Sequence, residues 1–153
     1  MPDADGNTDR STPAILRFQN GHNCAQAVLT EFSGQLGMDP ATAMKIASGF
    51  GGGMGRMGEM CGAVTGAIMV LGLKYGQTRS DDKVAKERAH ALVREFAGKF
   101  EKQHGFLVCR ELLGCDISRP EGFKLAVEKN LFHTVCPKYV AGAVRILTQM
   151  FEA

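Results

Sequence analysis

Tryptophan is absent from this chain of 153 residues, aromatic residues make up only 7% of it, and its net charge is only +2. So small a charge disfavours a nucleic-acid partner, because binding to phosphates needs a dense basic surface. No stretch approaches the ~20 apolar residues that cross a bilayer, so we expect no membrane span. The polar, partly acidic first residues are unlike a secretory signal, which predicts a cytoplasmic protein.

Strand-like alternation of apolar and polar residues is also missing, whereas apolar residues recur at helical spacing along most of the chain. The 44% hydrophobic content is enough for one buried core. We therefore expect an all-α fold, a single-domain compact bundle of about five to seven helices. The domain is predicted to cover 13–153, after a disordered leader at 1–12.

Capping residues, prolines and glycines bound the predicted helices. The charged helix after Ser80 is expected to bury Val84, Phe96 and Phe100, among others. After a first apolar segment near Pro13, the predicted helices run from Asn23 to before Gly34, from Asp39 to about Ser48, from Glu59 to Tyr75, from Ser80 to His104, from Phe106 to Leu113, from Pro120 to about Lys129, and from Cys136 almost to the end.

Residues 49–58 are too rich in glycine to hold a helix, so we expect a loop before the central helix. Gly53, Gly55 and Gly58 match the spacing of a dinucleotide-binding loop, but no strand precedes them, and we reject that function. Arg56, at the loop tip, has two interpretations, an anion contact or a solvated side chain, and the second is preferred.

Five cysteines in a chain without an export signal favour metal binding or thiol redox chemistry over a disulfide framework. Cys24, Cys61 and Cys136 lie at or near predicted helix starts, where free N–H groups stabilise a thiolate. The alternative is that the thiols are buried and inert. Cys-x-x-Cys pairs, haem-attachment motifs and compact ferredoxin motifs are all missing.

A face of small side chains follows Cys61, formed by Gly62, Ala63, Gly66 and Ala67. Another backbone, a second subunit or a cofactor could approach Cys61 there, which makes Gly62 and Gly66 candidate cofactor-binding residues. Plain helix packing through small residues explains the spacing equally well. The same face is the reason to expect a homodimer.

Each of the four histidines is expected at the surface, since polar side chains are mostly exposed. His22 is the one candidate for another role, a ligand or a base, because it lies two residues from Cys24. The other three, which fall on charged or loop segments, are His90, His104 and His133.

Five segments occur together in this sequence, each built around cysteine or glycine. They are Asn23-Cys24-Ala25-Gln26-Ala27-Val28, Gly49-Phe50-Gly51-Gly52-Gly53-Met54-Gly55, Cys61-Gly62-Ala63-Val64-Thr65-Gly66-Ala67, Cys109-Arg110-Glu111-Leu112-Leu113-Gly114, and Cys136. In this order, over about residues 14–150, the chain resembles the C_GCAxxG_C_C family of redox-active proteins. A similar domain occurs in split-Soret-type cytochromes, but this chain lacks their haem-attachment motif.

The resemblance implies four working cysteines, Cys24, Cys61, Cys109 and Cys136, as both redox residues and metal ligands. It implies electron transfer or metal-linked redox chemistry, with an iron-sulfur cluster as the possible cofactor. Some relatives carry export signals, which this chain lacks. Cys115 has no counterpart in the family.

Three hypotheses remain open at this stage. The first is a redox protein whose four cysteines bind an iron-sulfur cluster or other metal and transfer electrons, or cycle between dithiol and disulfide, with an unidentified redox protein as partner. The second is a non-redox binding module with a structural zinc site. The third is a helical interaction protein whose cysteines only fill the core. In the first, Cys61 is expected to be the most reactive or most tightly ligated thiol.

Overall fold

The computed structural model describes residues 9–153 and shows an all-α protein, as expected. Within this range no helix is long and apolar enough to span a membrane. The helices are α1 (Ser11–Gln19), α2 (Cys24–Ser33), α3 (Pro40–Ala47), α4 (Gly62–Tyr75), α5 (Lys83–His104), α6 (Cys109–Leu113), α7 (Pro120–Glu128), α8 (Leu131–Thr134) and α9 (Cys136–Glu152), with a 3₁₀ turn at Ser48–Phe50.

Side-chain caps begin α2, α3 and α5, close to the predicted positions. The Asn23 side chain accepts a hydrogen bond from the N–H of Gln26. Asp39 caps α3 through the N–H of Thr42, ahead of Pro40. Asp82 caps α5 in the same way, so local capping chemistry sets these three boundaries.

The core lies where α2, α4, α5 and α9 pack together. Its largest fully buried side chains include Phe32, Phe96, Phe100, Leu71 and Leu147. Small residues let α4 approach α2 closely, and this contact fixes the start of α4 against the start of α2. The predicted burial of Phe96 and Phe100 is confirmed.

Several boundaries differ from the sequence prediction. Helix α1 begins at Ser11, within the range expected to be a leader, and residues 1–8 of that range lie outside the described residues. Val84 was predicted to be buried, but its side chain is 82% exposed because the first turn of α5 projects beyond the core.

Helix α4 begins three residues later than predicted because the residues before it are extended. Met60 forms an antiparallel bridge with Val108, in a segment that was expected to be helical. The bridge therefore joins the two chain segments that lead into α4 and α6, and it places Cys61 near Cys109.

Candidate functional site

Cys24 is the first residue of α2, and its neighbours hold it firmly. Asn23 and Gln26 form a reciprocal capping box, in which the Asn23 N–H donates to Gln26 Oε1 at 2.9 Å. The Asn23 side-chain amide also donates to the carbonyl oxygens of Ala47 and Ser48, at 3.2 and 3.1 Å. Asn23 thereby ties Cys24 to the end of α3.

Cys61 and Cys109 are positioned by the backbone of the two extended segments. The Cys61 N–H donates to the Leu107 carbonyl at 2.9 Å, and the Cys109 N–H donates to the Glu59 carbonyl at 2.6 Å. Cys61 is the N-cap of α4 and Cys109 is the first residue of α6. Both side chains are buried.

Cys136 is the first residue of α9 and is followed by Pro137, which suits the first turn of a helix. Its side chain is buried. Three residues later, the Tyr139 hydroxyl donates a hydrogen bond to the Leu112 carbonyl at 3.0 Å. This bond ties the first turn of α9 to α6 and so holds Cys136 near Cys109.

One cavity of about 620 Å³ is lined by all four cysteines that the resemblance singles out. They come from four different helix starts: Cys24, Cys61, Cys109 and Cys136. Every cysteine of the chain is a free thiol. Residues far apart in the sequence thus form a single thiol-lined space.

Cys24 and Cys136 interact directly. The neighbouring Cys136 sulfur raises the pKa of Cys24, as does burial. The Cys24 thiol in turn lowers the pKa of Cys136, although burial opposes it. Between these two, Cys136 is the sulfur that carries negative charge more easily.

Cys61 and Cys109 keep their protons to a higher pH than Cys136 does. The N–H groups of Ala63 and Val64 face the Cys61 sulfur and favour its thiolate, but burial outweighs them and raises the pKa of Cys61 to about 12. Burial and the neighbouring Cys61 and Cys136 sulfurs likewise raise the pKa of Cys109 to about 12.

The expectation that helix starts lower these pKa values is therefore wrong for Cys24 and Cys61, because burial and neighbouring sulfurs act against the N–H groups. The pKa of Cys136 is lowered, but the cause is the Cys24 thiol. The prediction that Cys61 is the most reactive free thiol loses its basis. The prediction that it is the most tightly ligated one stays open.

The glycine-rich segment contains a left-handed turn at residues 52–56, in which every φ lies between 58° and 70°. Met54 and Arg56 adopt this conformation too, at a cost of roughly 1 kcal/mol or more each. The turn is closed by hydrogen bonds such as that from the Gly55 N–H to the Gly49 carbonyl, at 2.8 Å. A Cβ at Gly53 would lie 2.7 Å from Cys109 Cβ, so only glycine allows this close approach.

Gly62 and Gly66 have different surroundings. Gly62 lines the cavity, and a Cβ there would lie 3.0 Å from Cys24 Cβ. Gly66 is not among the cavity residues, and a Cβ there would lie 2.8 Å from the Ala25 carbonyl oxygen. Helix α2 covers this small-residue face within the chain, so the face no longer gives a reason to expect a homodimer.

A family model described as "Putative redox-active protein (C_GCAxxG_C_C)" matches residues 22–150, and thus spans all four cavity cysteines. The chain belongs to the C_GCAxxG_C_C family. No curated protein and no solved structure matches it. The description of the family agrees with the redox role that we expected from the cysteines.

The fifth cysteine of this C_GCAxxG_C_C protein lies outside the cavity lining. Cys115 follows Gly114, which ends α6 in a left-handed conformation, and its half-buried side chain packs against the apolar cluster that includes Cys109 and Cys136. Burial raises its pKa. Cys115 has no counterpart in the family, and it lies outside the cavity that the other four cysteines line.

The histidines divide into three groups. His22 and His133 are exposed and line the cavity, while His90 is exposed elsewhere. His104 departs from the predicted surface position: its ring packs on Phe100 with centroids 4.5 Å apart, and its buried Nε2 has no hydrogen-bond partner within residues 9–153. Burial lowers the pKa of His104.

Sequence reasoning missed three positioning residues of the site, Asn23 in its tether to α3, Gln26 and Tyr139. The reciprocal capping spacing of Asn23 and Gln26 was a readable signal. The Tyr139 hydroxyl bonds to a carbonyl in another helix, so no local sequence pattern predicts this hydrogen bond.

The donor chemistry of the cavity suits a soft metal, since four thiols face one space. Yet among residues 9–153 no three His, Cys, Asp or Glu side chains are gathered as ligands of a single ion. Zinc needs four donors at about 2.0–2.3 Å from one point, so the side chains as they stand do not fit it. An iron-sulfur cluster spreads its thiolates over several iron atoms and demands less convergence.

Proposed function

We propose that this protein is a thiol redox protein in which Cys24 and Cys136 cycle between dithiol and disulfide. The observation that carries the proposal is that both residues line one cavity, where the Cys24 thiol favours the thiolate of Cys136. A thiolate is the nucleophile of thiol-disulfide exchange. Cys136 is therefore the attacking sulfur and Cys24 the resolving one.

The reaction balances with a disulfide as oxidant. The Cys136 thiolate attacks one sulfur of the substrate disulfide, forms a mixed disulfide and expels one substrate thiolate. Cys24 then attacks the Cys136 sulfur and forms the Cys24–Cys136 disulfide. The second substrate sulfur leaves in this step, takes the Cys24 proton and departs as a thiol. The substrate disulfide gains two electrons, and Cys24 and Cys136 lose them.

Thiol counting under anaerobic conditions tests this function. The fully reduced protein, treated with glutathione disulfide and then freed of small molecules, should lose two of its five thiols, with no glutathione left attached. Cys136→Ser should lose none, and Cys24→Ser should retain one mixed disulfide with glutathione. Cys115→Ser is the matched control and should still lose two thiols. A wild-type protein that keeps all five thiols would refute the proposal.

Iron-sulfur binding by Cys24, Cys61, Cys109 and Cys136, with electron transfer, is the second candidate function. It is favoured by the N–H groups of Ala63 and Val64 that face the Cys61 sulfur, because such groups stabilise a ligating thiolate. A bound cluster would supply one-electron transfer.

Anaerobic isolation tests the second candidate. The expected signs are visible absorption bands that bleach on reduction, together with iron and sulfide in the purified protein. Cys61→Ser should abolish all three, while Cys115→Ser should keep them. Iron-free, colourless wild-type protein, even after reconstitution with iron and sulfide, would exclude this function.

A further inference from the structure

The four thiols do not account for the size of the cavity. Its volume of about 620 Å³ lies within the range of roughly 300–1,000 Å³ that is typical of small-molecule sites. Besides the cysteines and glycines, the walls are largely apolar and include Phe18, Leu112, Ile117, Phe123 and Phe132. An organic molecule of moderate size therefore fits beside the thiols.

The ionisable side chains at the opening are basic. His22, Arg56 and His133 line the cavity and are exposed to solvent, so they lie where the cavity opens. No aspartate or glutamate of the described range lines it. Charge at the opening therefore favours an anion.

Two acidic side chains of neighbouring segments are already paired. Glu59 forms an ion pair with Arg110 at 2.9 Å, and Asp116 forms one with Arg119 at 3.6 Å. These pairs leave the basic character of the opening largely intact.

Arg56 is positioned rather than freely solvated. Its guanidinium carbon lies 4.9 Å from the centre of the Phe123 ring, and the residue belongs to the left-handed turn, with φ at 62°. A Cβ at Gly52 would lie 2.8 Å from Arg56 Cγ, so the glycine makes room for the side chain. Within residues 9–153, no carboxylate lies within 4.0 Å of it.

Backbone donors of the same turn are also free. The N–H groups of Gly52 and Gly53 donate no hydrogen bond within the described part of the chain, and both residues line the cavity. Successive free N–H groups in a turn can form a concave site for anions. The strained backbone of the turn places the free N–H groups of Gly52 and Gly53 beside Arg56, which gives the strain a function.

We propose that the cavity binds a small organic anion, a carboxylate or phosphate ester with an apolar part, whose acidic group meets Arg56 and the N–H groups of Gly52 and Gly53. The apolar part lies against the aromatic wall, next to the thiols. Binding of this anion does not itself require thiol chemistry. The inference rests on the proposed function only where it places the bound molecule beside reacting thiols.

Two fluorescent probes test the binding directly on the reduced full-length protein. The anionic probe is 8-anilinonaphthalene-1-sulfonate, and the neutral one is N-phenyl-1-naphthylamine. We expect one anionic probe to bind per chain, and Arg56→Gln to weaken it about tenfold while leaving the neutral probe unchanged, because a hydrogen bond to a charged group is lost. Arg79→Gln, which removes an exposed arginine paired with Asp81, is the control and should change neither.

Location is tested by protection. Bound 8-anilinonaphthalene-1-sulfonate should slow the alkylation of Cys136 by iodoacetamide, as read by peptide mass spectrometry. Equal binding of the anionic probe to wild type and Arg56→Gln, or no protection of Cys136, would overturn the inference. Probe binding in a protein that keeps all its thiols with glutathione disulfide would refute the proposed dithiol function and leave the anion site standing.

Discussion

The two cysteine pairs of the cavity are built in different ways. Cys24 and Cys136 begin α2 and α9, and their interaction raises the pKa of Cys24 and lowers that of Cys136. Cys61 and Cys109 are anchored by backbone hydrogen bonds between extended segments, and burial raises the pKa of each to about 12. The first pair is arranged for thiol exchange, and the second resists ionisation unless a metal replaces the protons.

This difference shows that a position at a helix start does not by itself lower the pKa of a cysteine. Burial raises the pKa of Cys61 to about 12 even though the N–H groups of Ala63 and Val64 face its sulfur. The pKa of Cys136 is lowered because the neighbouring Cys24 thiol favours its thiolate. A neighbouring donor side chain decides reactivity more than the helix does.

At neutral pH the largest effect is expected where the two pairs are joined, at the contact of α4 with α2. A Cβ at Gly66 would lie 2.8 Å from the Ala25 carbonyl oxygen and 3.0 Å from Ala25 Cα, and backbone cannot move aside cheaply. Gly66→Ala should lower the free energy of unfolding by about 1–3 kcal/mol in urea titrations. Gly72→Ala, in the same helix with open space around it, should be neutral or slightly stabilising. Equal effects of the two variants would contradict the account of this contact.

Alkaline pH should separate the pairs next. A thiol with a pKa of about 12 in the folded chain and 9.0 in the unfolded chain keeps its proton on folding, so its stabilisation is complete below pH 9 and is lost between 9 and 12. The free energy of unfolding should therefore fall with pH by up to ~1.4 kcal/mol per unit for each such thiol.

Urea unfolding of reduced protein between pH 8 and 11 measures this slope. Cys61→Ser should make it shallower, because the serine hydroxyl does not ionise in this range. Cys115→Ser should change it less, since Cys115 is only half-buried. If Cys61→Ser retains the full wild-type slope, the buried pair does not behave as described.

A smaller effect is expected from the tether of Cys24. Asn23→Ala removes the cap of α2 and two further hydrogen bonds to the Ala47 and Ser48 carbonyls. Thermal unfolding should show a loss of about 1–2 kcal/mol. Asp82→Ala removes only a cap, that of α5, and should cost less. A larger loss for Asp82→Ala would show that the Asn23 tether adds nothing.

The smallest effect concerns the ion pair beside the extended segments. Arg110 and Glu59 are 41% and 44% exposed, so Arg110→Gln should change the free energy of unfolding by less than about 1 kcal/mol. Urea titrations at low and high salt check this. A loss above 2 kcal/mol would mean that side chains, and not the backbone hydrogen bonds of Cys61 and Cys109, hold these segments together.

Sequence reasoning reached the all-α class and many of the helix bounds because local chemistry sets them. The Asn23, Asp39 and Asp82 caps are each readable from neighbouring residues. The start of α4 was misplaced because Met60 pairs with Val108, which lies 48 positions along the chain. The periodicity of apolar residues reports local structure only, so it does not predict a pairing between distant segments.

The resemblance supplied the set of candidate site residues, but not how they meet. Cys24, Cys61, Cys109 and Cys136 could be named together before the structure, whereas the division into two pairs depends on helix packing. An anion contact of Arg56 was considered but solvation was preferred, because the position of Arg56 over the Phe123 ring depends on two distant segments. The closure of the small-residue face by α2 also depends on tertiary packing.

Disulfide mapping tests the central claim most directly. The fully reduced protein is equilibrated with mixtures of reduced and oxidised glutathione, quenched with acid, alkylated in denaturant and digested, and its disulfides are identified by mass spectrometry. Our account predicts a Cys24–Cys136 disulfide as the first to form, with Cys61 and Cys109 still alkylated as free thiols. A Cys61–Cys109 disulfide that forms first would contradict it.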